Sequence, residues 1–292
     1  MGCVIVTYNS AEHILGCLHS LAQAEHVTLR IVIVDNSSSD RTPEVIQGFL
    51  DQSDLDLTLV QSAQNLGFAA GVNLGLTKLL EDPDLDRFWI LNPDCTVPSS
   101  TPAKFAKVEM PFSLIGGRII YEEHPSKIQI DGGQINTWTG ATTNIHIGQN
   151  PDTTAMPKSC ELDFISGASM VASRAFILSA GLMPEQYFLY YEEVSWAQNR
   201  GEFPLVVCEN ASVLHSAGAS IGSPTLSRGP SALSVYYKHR SRMMFMIAHH
   251  PLRVPVAYLF GWGKLLQHLK RGQYAAIPAI LRAMHGLPLR TE

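Results

Sequence analysis

The sequence predicts an α/β fold: a doubly wound, mostly parallel sheet followed by a helical C-terminal tail. Three observations predict it. Short apolar runs alternate with helical patterns through the first third of the chain. Those runs are continuous rather than alternating, as in strands covered on both faces. From Ala232 onward the pattern is helical almost to the end. Strand–helix alternation of this kind implies parallel strands joined by right-handed crossovers.

The elements follow in order. Residues 3–7 are the first strand, and a helix starts near Ser10 with Ile14, Leu18, Leu21 and Ala22 on one face. Residues 29–34 are the second strand. Thr42-Pro43-Glu44 reads as a helix start, with Thr42 as cap and Pro43 at the first position. Residues 57–60, a helix over 69–80 and a strand over Arg87–Leu91 complete the N-terminal half. Leu114–Tyr121 reads as a strand, and residues 129–149, rich in Gly, Thr and Asn, as a hairpin or flap. A short strand over 169–172, a helix over Arg174–Ala180 closed by Gly181, and a helix over 192–200 ended by Gly201 come next. Residues 205–208 and 212–214 read as two short strands, and 216–231 as a mobile Gly/Ser/Pro-rich loop.

Composition narrows the function. With 292 residues, 46% of them hydrophobic, the chain can bury one large core. A charged fraction of 16% excludes a disordered or coiled-coil protein. The net charge of −5 argues against nucleic acid as a partner. That charge is uneven: from Tyr237 on there are nine basic residues and one acid, a local +8 that leaves −13 for the first 236 residues. A basic, apolar tail suits an anionic lipid surface or a lipid diphosphate, and equally a solvated helix packed on the domain or on a second subunit of a homodimer. Five scattered cysteines without a CxxC fit a reducing compartment. No stretch suits a spanning helix, so a cytoplasmic protein, peripheral at the inner face of the membrane, is expected.

Each N-terminal strand ends in a polar cluster. They are Thr7-Tyr8-Asn9, Asp35-Asn36-Ser37-Ser38-Ser39-Asp40, Asn65-Leu66-Gly67-Phe68 and Asn92-Pro93-Asp94. Open α/β sheets bind ligands along that edge. The glycine patterns of dinucleotide and P-loop sites are missing. Asp35 can accept from a pyrimidine N–H, Tyr8 can cover the base or pack, Gly67 and Gly71 admit a close backbone, and Asp94 is a hard ligand for Mg²⁺ or Mn²⁺.

Those clusters sit inside longer motifs: Val4-Ile5-Val6-Thr7-Tyr8-Asn9, Val34-Asp35-Asn36-Ser37, Asn65-Leu66-Gly67-Phe68-Ala69-Ala70-Gly71-Val72-Asn73 and Leu91-Asn92-Pro93-Asp94. Phe164-Ile165-Ser166-Gly167-Ala168 and Tyr190-Tyr191-Glu192-Glu193-Val194-Ser195-Trp196 follow in order. Together they resemble family 2 glycosyltransferases of the GT-A (nucleotide-diphospho-sugar transferase) fold, in the bacterial rhamnosyltransferase-like branch. The likeness runs from about residue 3 to 242.

The resemblance implies a donor pocket lined by Thr7, Tyr8, Asn9, Asp35 and Asn65, with Asn36, Ser37, Gly67, Phe68, Gly71, Asn73, Asn92 and Gly167 in the same set. It places Asp94 and His215 on a divalent metal, Mg or Mn, and Glu193 as general base with Glu192 as its rival. Trp196 is either an acceptor platform or a core aromatic, and Tyr237 and Arg240 are acceptor candidates. The implied reaction is inverting transfer of a sugar, rhamnose or another deoxyhexose, from a dTDP- or UDP-linked donor to a glycan or lipid-linked acceptor. Two features depart from the family pattern: Ser195 stands where a further acid is common, and Asn92-Pro93-Asp94 has one carboxylate where two are usual. The expected division is a catalytic domain over 1–235, its nucleotide half 1–95 and acceptor half 96–235, and a basic helical region over 236–292. The alternatives are a non-catalytic sugar-nucleotide binding protein and a nucleotidyltransferase, the latter lacking its Gly-rich basic first loop.

Overall fold

The structure, a computed structural model, describes residues 1–216 and 229–289, so most of the loop expected over 216–231 lies outside the described residues. Its first half runs β1 (Gly2–Thr7), α1 (Ile14–Ala22), β2 (Arg30–Asp35), α2 (Thr42–Leu50), β3 (Asp56–Gln61), α3 (Phe68–Leu80) and β4 (Arg87–Leu91). All four strands are parallel, in the order β3-β2-β1-β4. The chain moves outward from β1 to β3, then returns to the other side of β1, and this reversal opens a crevice at the strand ends.

The continuous apolar runs have a direct cause. Val4, Val6, Val32 and Val34 face the α3 side of the sheet, while Cys3, Ile5, Ile31 and Ile33 face α1 and α2. Gly71 and Gly75 let α3 lie close on β1: a Cβ on Gly75 would stand 2.5 Å from Val4 Cγ1, and one on Gly71 2.8 Å from Val6 Cγ1. Two starts differ from expectation. Residues 11–13 form turns before α1, closed on the Ser10 carbonyl. At α2, Asp40 rather than Thr42 closes the entry, accepting from the Thr42 N–H at 3.0 Å.

The second half adds β5 (Cys95–Thr96), α4 (Thr101–Ala106), β6 (Leu114–Tyr121), β7 (Ile128–Ile130), β8 (Gly133–Ile135), β9 (Thr142–Asn144), β10 (Ser169–Ser173), α5 (Arg174–Ala180), α6 (Glu192–Gln198) and β11 (Val206–His215). β10 lies antiparallel between β4 and β6, and β11 is parallel to β6. The two strands expected over 205–208 and 212–214 are one strand, β11, with a register shift between Val207 and Ser212. The expected hairpin or flap resolves into β7 on the main sheet and a β8–β9 hairpin. Buried Asp131 holds this segment, taking two bonds from Arg118 at 2.9 and 2.8 Å and lying 2.9 Å from His146 Nδ1. The two-residue β5 was not legible in the sequence, yet it pairs His215 with Cys95 and so brings Asp94 beside His215.

The tail folds as α7 (Ala232–His249), α8 (Val254–Lys270) and α9 (Ala276–Met284). The expected division at residue 236 falls inside α7. Met243, Phe245 and Met246 of that helix belong to the main core, while Val235 and Tyr236 pack with Leu265 and Ile280 of α8 and α9. α7 is therefore shared between the α/β body and the helical tail. Among the described residues, no helix is long and apolar enough to cross a membrane.

Candidate active site

The polar strand ends are stitched together before any ligand is considered. Buried Asp35 accepts from Thr7 Oγ1 at 2.9 Å and from the backbone N–H and hydroxyl of Ser38 at 3.0 and 2.6 Å. Asn9 Oδ1 accepts from the Ser39 N–H at 2.8 Å. Asn36 Nδ2 donates to Gly67 O at 2.8 Å and to Asn65 Oδ1 at 3.2 Å, and Asn36 Oδ1 accepts from the Leu66 N–H. The loops after β1, β2 and β3 thus form one hydrogen-bonded rim.

This rim borders a cavity of about 740 Å³. Of the expected site residues, the cavity brings together Tyr8, Asn36, Asn65, Gly67, Phe68, Asn92, Asp94, Gly167, Glu192, Glu193 and His215. Thr7, Asn9 and Asp35 lie outside the lining and tie the rim together, and Ser37, at φ 64°, lies outside it as well. Gly71 and Asn73 do not reach it. Gly71 is spent on helix–sheet packing, and Asn73 ties α3 to the loop before α6 through Met183 and Glu185. Gly67, at φ +85°, is glycine for a second reason: a Cβ there would stand 2.6 Å from Phe188 O.

At one end of the cavity His215 Nε2 lies 3.1 Å from Asp94 Oδ1. The other ring nitrogen, Nδ1, lies 2.8 Å from Gln129 Oε1. An amide oxygen only accepts, so Nδ1 carries a proton, while Nε2, which also has Asn92 Nδ2 at 3.3 Å, faces Asp94 with a proton in the charged ring and with a lone pair in the neutral one. Two acceptors this close need a proton or a cation between them. Burial alone would raise the Asp94 carboxyl, but the charge and hydrogen bond of His215 outweigh it and hold it below the usual range. Burial lowers His215 while Asp94 raises it further, so the net shift is upward. One oxygen and one imidazole nitrogen, with Gln129 fixing the ring, suit Mg²⁺ or Mn²⁺. Cys95 lies within reach of both, but its Sγ is 3.5 Å from Ala168 O and burial pushes its thiol well up, so it stays protonated.

On the wall of the same cavity, α6 begins with two carboxyls. Tyr190 and Tyr191 precede it in the left-handed region, at φ 65° and 71°. Such residues cost on the order of 1–2 kcal/mol each, and the surroundings hold them. Tyr191 OH donates to Gly140 O at 2.6 Å, Tyr190 OH lies 2.8 Å from Ser234 Oγ, and Ser241 Oγ donates to Leu189 O. Glu192 is buried with one oxygen unpartnered among the described residues; burial and then the charge of Glu193 push it well up. Glu193 is half-buried on the cavity wall, and burial pushes it up to about 7, against opposing backbone N–H groups and Lys238. A Cβ on Gly167 would lie 3.9 Å from Glu193 Cβ, so the cavity is narrow beside this carboxyl.

The acceptor assignments need correction. Trp196 is fully buried, packs at 4.9 Å on Phe176 and donates to Gly181 O at 3.0 Å, so it is a core aromatic and meets no sugar. Tyr237 stacks on cavity-lining Phe188 at 4.8 Å, one layer behind the wall. Arg240 donates to Tyr236 OH at 2.9 Å and is absent from the lining. Instead α7 sends Leu233, Ser234 and Lys238 into the cavity, and β7 sends Gln129. No local motif or spacing marks these four.

Residues 3–108 match the family model for glycosyl transferase family 2. The chain is 24% identical to the low-salt glycan biosynthesis hexosyltransferase Agl10 of Haloferax volcanii, over 99% of this chain and 91% of that protein. It is 27% identical to an N-acetylglucosaminyl-diphospho-decaprenol L-rhamnosyltransferase of Mycobacterium tuberculosis, over 85% and 84% of the two chains. Among solved structures, the mannosyltransferase PcManGT from Pyrobaculum calidifontis, in complex with GDP-Man and Mn²⁺, superposes with a TM-score of 0.59 at 15% identity, covering 98% of this chain and 74% of that one. Fold, cavity and matches define a nucleotide-sugar-dependent glycosyltransferase of the GT-A fold. Over residues 3–108 the chain is similar to glycosyl transferase family 2, and over most of its length it is similar to a rhamnosyltransferase.

Proposed function

We propose that the protein transfers a deoxyhexose such as rhamnose, with inversion, from a dTDP- or UDP-linked donor to a hydroxyl of a glycan or lipid-linked acceptor. The observation that carries this reading is Glu193, a carboxyl poised near neutrality in the same cavity as the Asp94–His215 pair. The rim of Asn36, Asn65 and Tyr8 holds the nucleotide, with Asp35, Thr7 and Asn9 fixing the rim. Asp94 and His215 would hold Mg²⁺ or Mn²⁺, which supplies positive charge to the leaving diphosphate. Glu193 takes the proton from the attacking acceptor hydroxyl. Burial and then the charge of Glu193 push the Glu192 carboxyl well up, which disfavours a second negative charge beside that base.

The tail adds a membrane contact to the proposal. Ala257, Gly261 and Leu265 of α8 face inward, whereas Leu259, Trp262, Leu266 and Leu269 on the opposite face are exposed. Leu252, before the helix, is 96% exposed. With Arg253, Lys270 and Arg271 beside it, this stripe fits a helix lying in an anionic bilayer surface.

The test is a donor panel. Thermal shifts with dTDP, UDP and GDP, with and without Mn²⁺, name the nucleotide, and the anomeric configuration of the product is then read by NMR. A shift for dTDP or UDP and an inverted product support the reading. No shift with any nucleotide, or a retained configuration, overturns it, and binding without turnover on any acceptor leaves a sugar-nucleotide binding module instead.

A further inference from the structure

Between Glu209 and Glu292 the sequence holds no acidic residue. The cations of that stretch therefore have no counter-charge of their own, and several converge where α7 crosses α8. Lys238 reaches the catalytic cavity one turn before Arg242 on the same face of α7. Arg242 is 3% exposed. Its Nη1 donates to Thr139 O and Ala257 O, but Nε and Nη2 find no acceptor among the described residues. Phe260 of α8 contacts two cations, its ring centre 5.2 Å from Arg242 Cζ and 5.3 Å from Lys264 Nζ. His239 and His268 each bury an Nδ1 without a partner among the described residues. Burial, then Lys264, lowers Lys238, while Glu193 opposes them. Burial, then Arg242, Lys238, His268 and Lys264, drives His239 down to about 3.

We propose that this cluster of cations, with Lys238 on the cavity wall, Lys264 near it and Arg242 behind, binds a phosphoryl group of the acceptor. The proposal rests on the glycosyltransferase reading with Glu193 as base. Lys238 shares the cavity wall with Glu193, Leu233 and Ser234. The donor diphosphate belongs with Asp94 and His215 at the ends of β4 and β11. An anion held beside the base is therefore the acceptor's. Ammonium groups bind compact phosphate as point charges, which suits a phosphate ester or diphosphate. The consequence is positional: the attacking hydroxyl lies close to the phosphate, on an early sugar of a phosphate-linked chain rather than at the far end of a long polymer.

The test uses the full chain saturated with Mn²⁺ and the nucleoside diphosphate it binds, titrated calorimetrically with geranyl diphosphate and with geraniol. Geranyl diphosphate binds the unaltered protein and geraniol does not. Lys238→Gln/Lys264→Gln weakens geranyl diphosphate by about tenfold or more, while nucleotide affinity stays within about twofold. Single Lys264→Gln, at a partly exposed site, repeats the loss in smaller measure if the double variant folds poorly. Equal binding of geranyl diphosphate by all three proteins overturns the proposal. So does a fall in nucleotide affinity instead, which would give these cations to the donor. Binding to phosphatidylglycerol vesicles without binding to soluble geranyl diphosphate overturns it too, in favour of bilayer headgroups. No nucleotide binding by the unaltered protein sinks the parent reading, a result distinct from all of these.

Discussion

Replacing Glu193 by Gln separates catalysis from stability, and the structure sets both magnitudes. As the proposed general base, Glu193 must be ionised, and burial pushes its carboxyl up to about 7. About a tenth of it is ionised at pH 6 and about nine tenths at pH 8, so kcat/KM rises about tenfold between them and levels off above. Glu193→Gln removes that limb and lowers kcat by about 10²- to 10⁴-fold. Stability moves the other way. The folded carboxyl titrates above its ordinary 4.5, so the stability it contributes is complete below 4.5 and is lost as pH rises through about 7. A neutral Gln avoids that loss. Its advantage over Glu therefore grows by about 2–3 kcal/mol between pH 5 and pH 8. Urea melts of both proteins at the two pH values, with unchanged m-values, measure it. An advantage that stays flat or shrinks with pH refutes the argument that burial holds this carboxyl neutral. A pH–rate profile with no rise through 7 refutes its role as base.

Asp94→Asn keeps the shape of the metal pair but removes its one carboxylate, and Mn²⁺ affinity followed by electron paramagnetic resonance falls at least about tenfold. Trp196→Phe loses the bond to Gly181 O, so the melt shifts by about 1–3 kcal/mol while acceptor KM holds; a KM change alone would restore Trp196 as an acceptor platform. Leu259→Glu/Leu266→Glu places two charges on the exposed stripe of α8, so cosedimentation with anionic vesicles drops while nucleotide binding in solution persists.

The nucleotide half was legible because its strands are covered on both faces and so read as unbroken apolar runs. The polar residues at the ends of β1 to β4 were legible for the same reason: the strand boundary shows where the apolar run stops. What each polar residue does there was less legible. Asp35 and Asn36 sit side by side in one motif, yet Asp35 turns back to hold Thr7 and Ser38 while Asn36 borders the cavity. Helical spacing placed Trp196 one turn from Glu192, but burial depends on Phe176 and Gly181, which spacing cannot reveal. Lys238 and Gln129 were missed because they meet the site only through long-range packing. β5 was missed because two residues carry no period.

The proposed base, Glu193, is held from outside its own motif, and this bears on where the proposed catalytic unit ends. Tyr190 and Tyr191 adopt a backbone that non-glycine residues disfavour, immediately before the helix that carries Glu193. Four contacts oppose their relaxation: the Tyr191 hydroxyl on Gly140, the Tyr191 ring 5.8 Å from Phe245, the Tyr190 hydroxyl at Ser234, and Ser241 on Leu189 O. Three of the four come from α7. Gly140 itself lies against Met246 and Arg242 of the same helix. A chain ended at residue 235 would keep Ser234 but lose Ser241, Arg242, Phe245 and Met246 together. The rim around Asn36 and Asn65, built from β1 to α3, would stay intact. Such a truncation should therefore still bind nucleotide if it remains folded, yet lose turnover, because the left-handed pair relaxes and Glu193 leaves the cavity wall. The proposed catalytic unit therefore includes α7, and the proposed helical tail begins with α8.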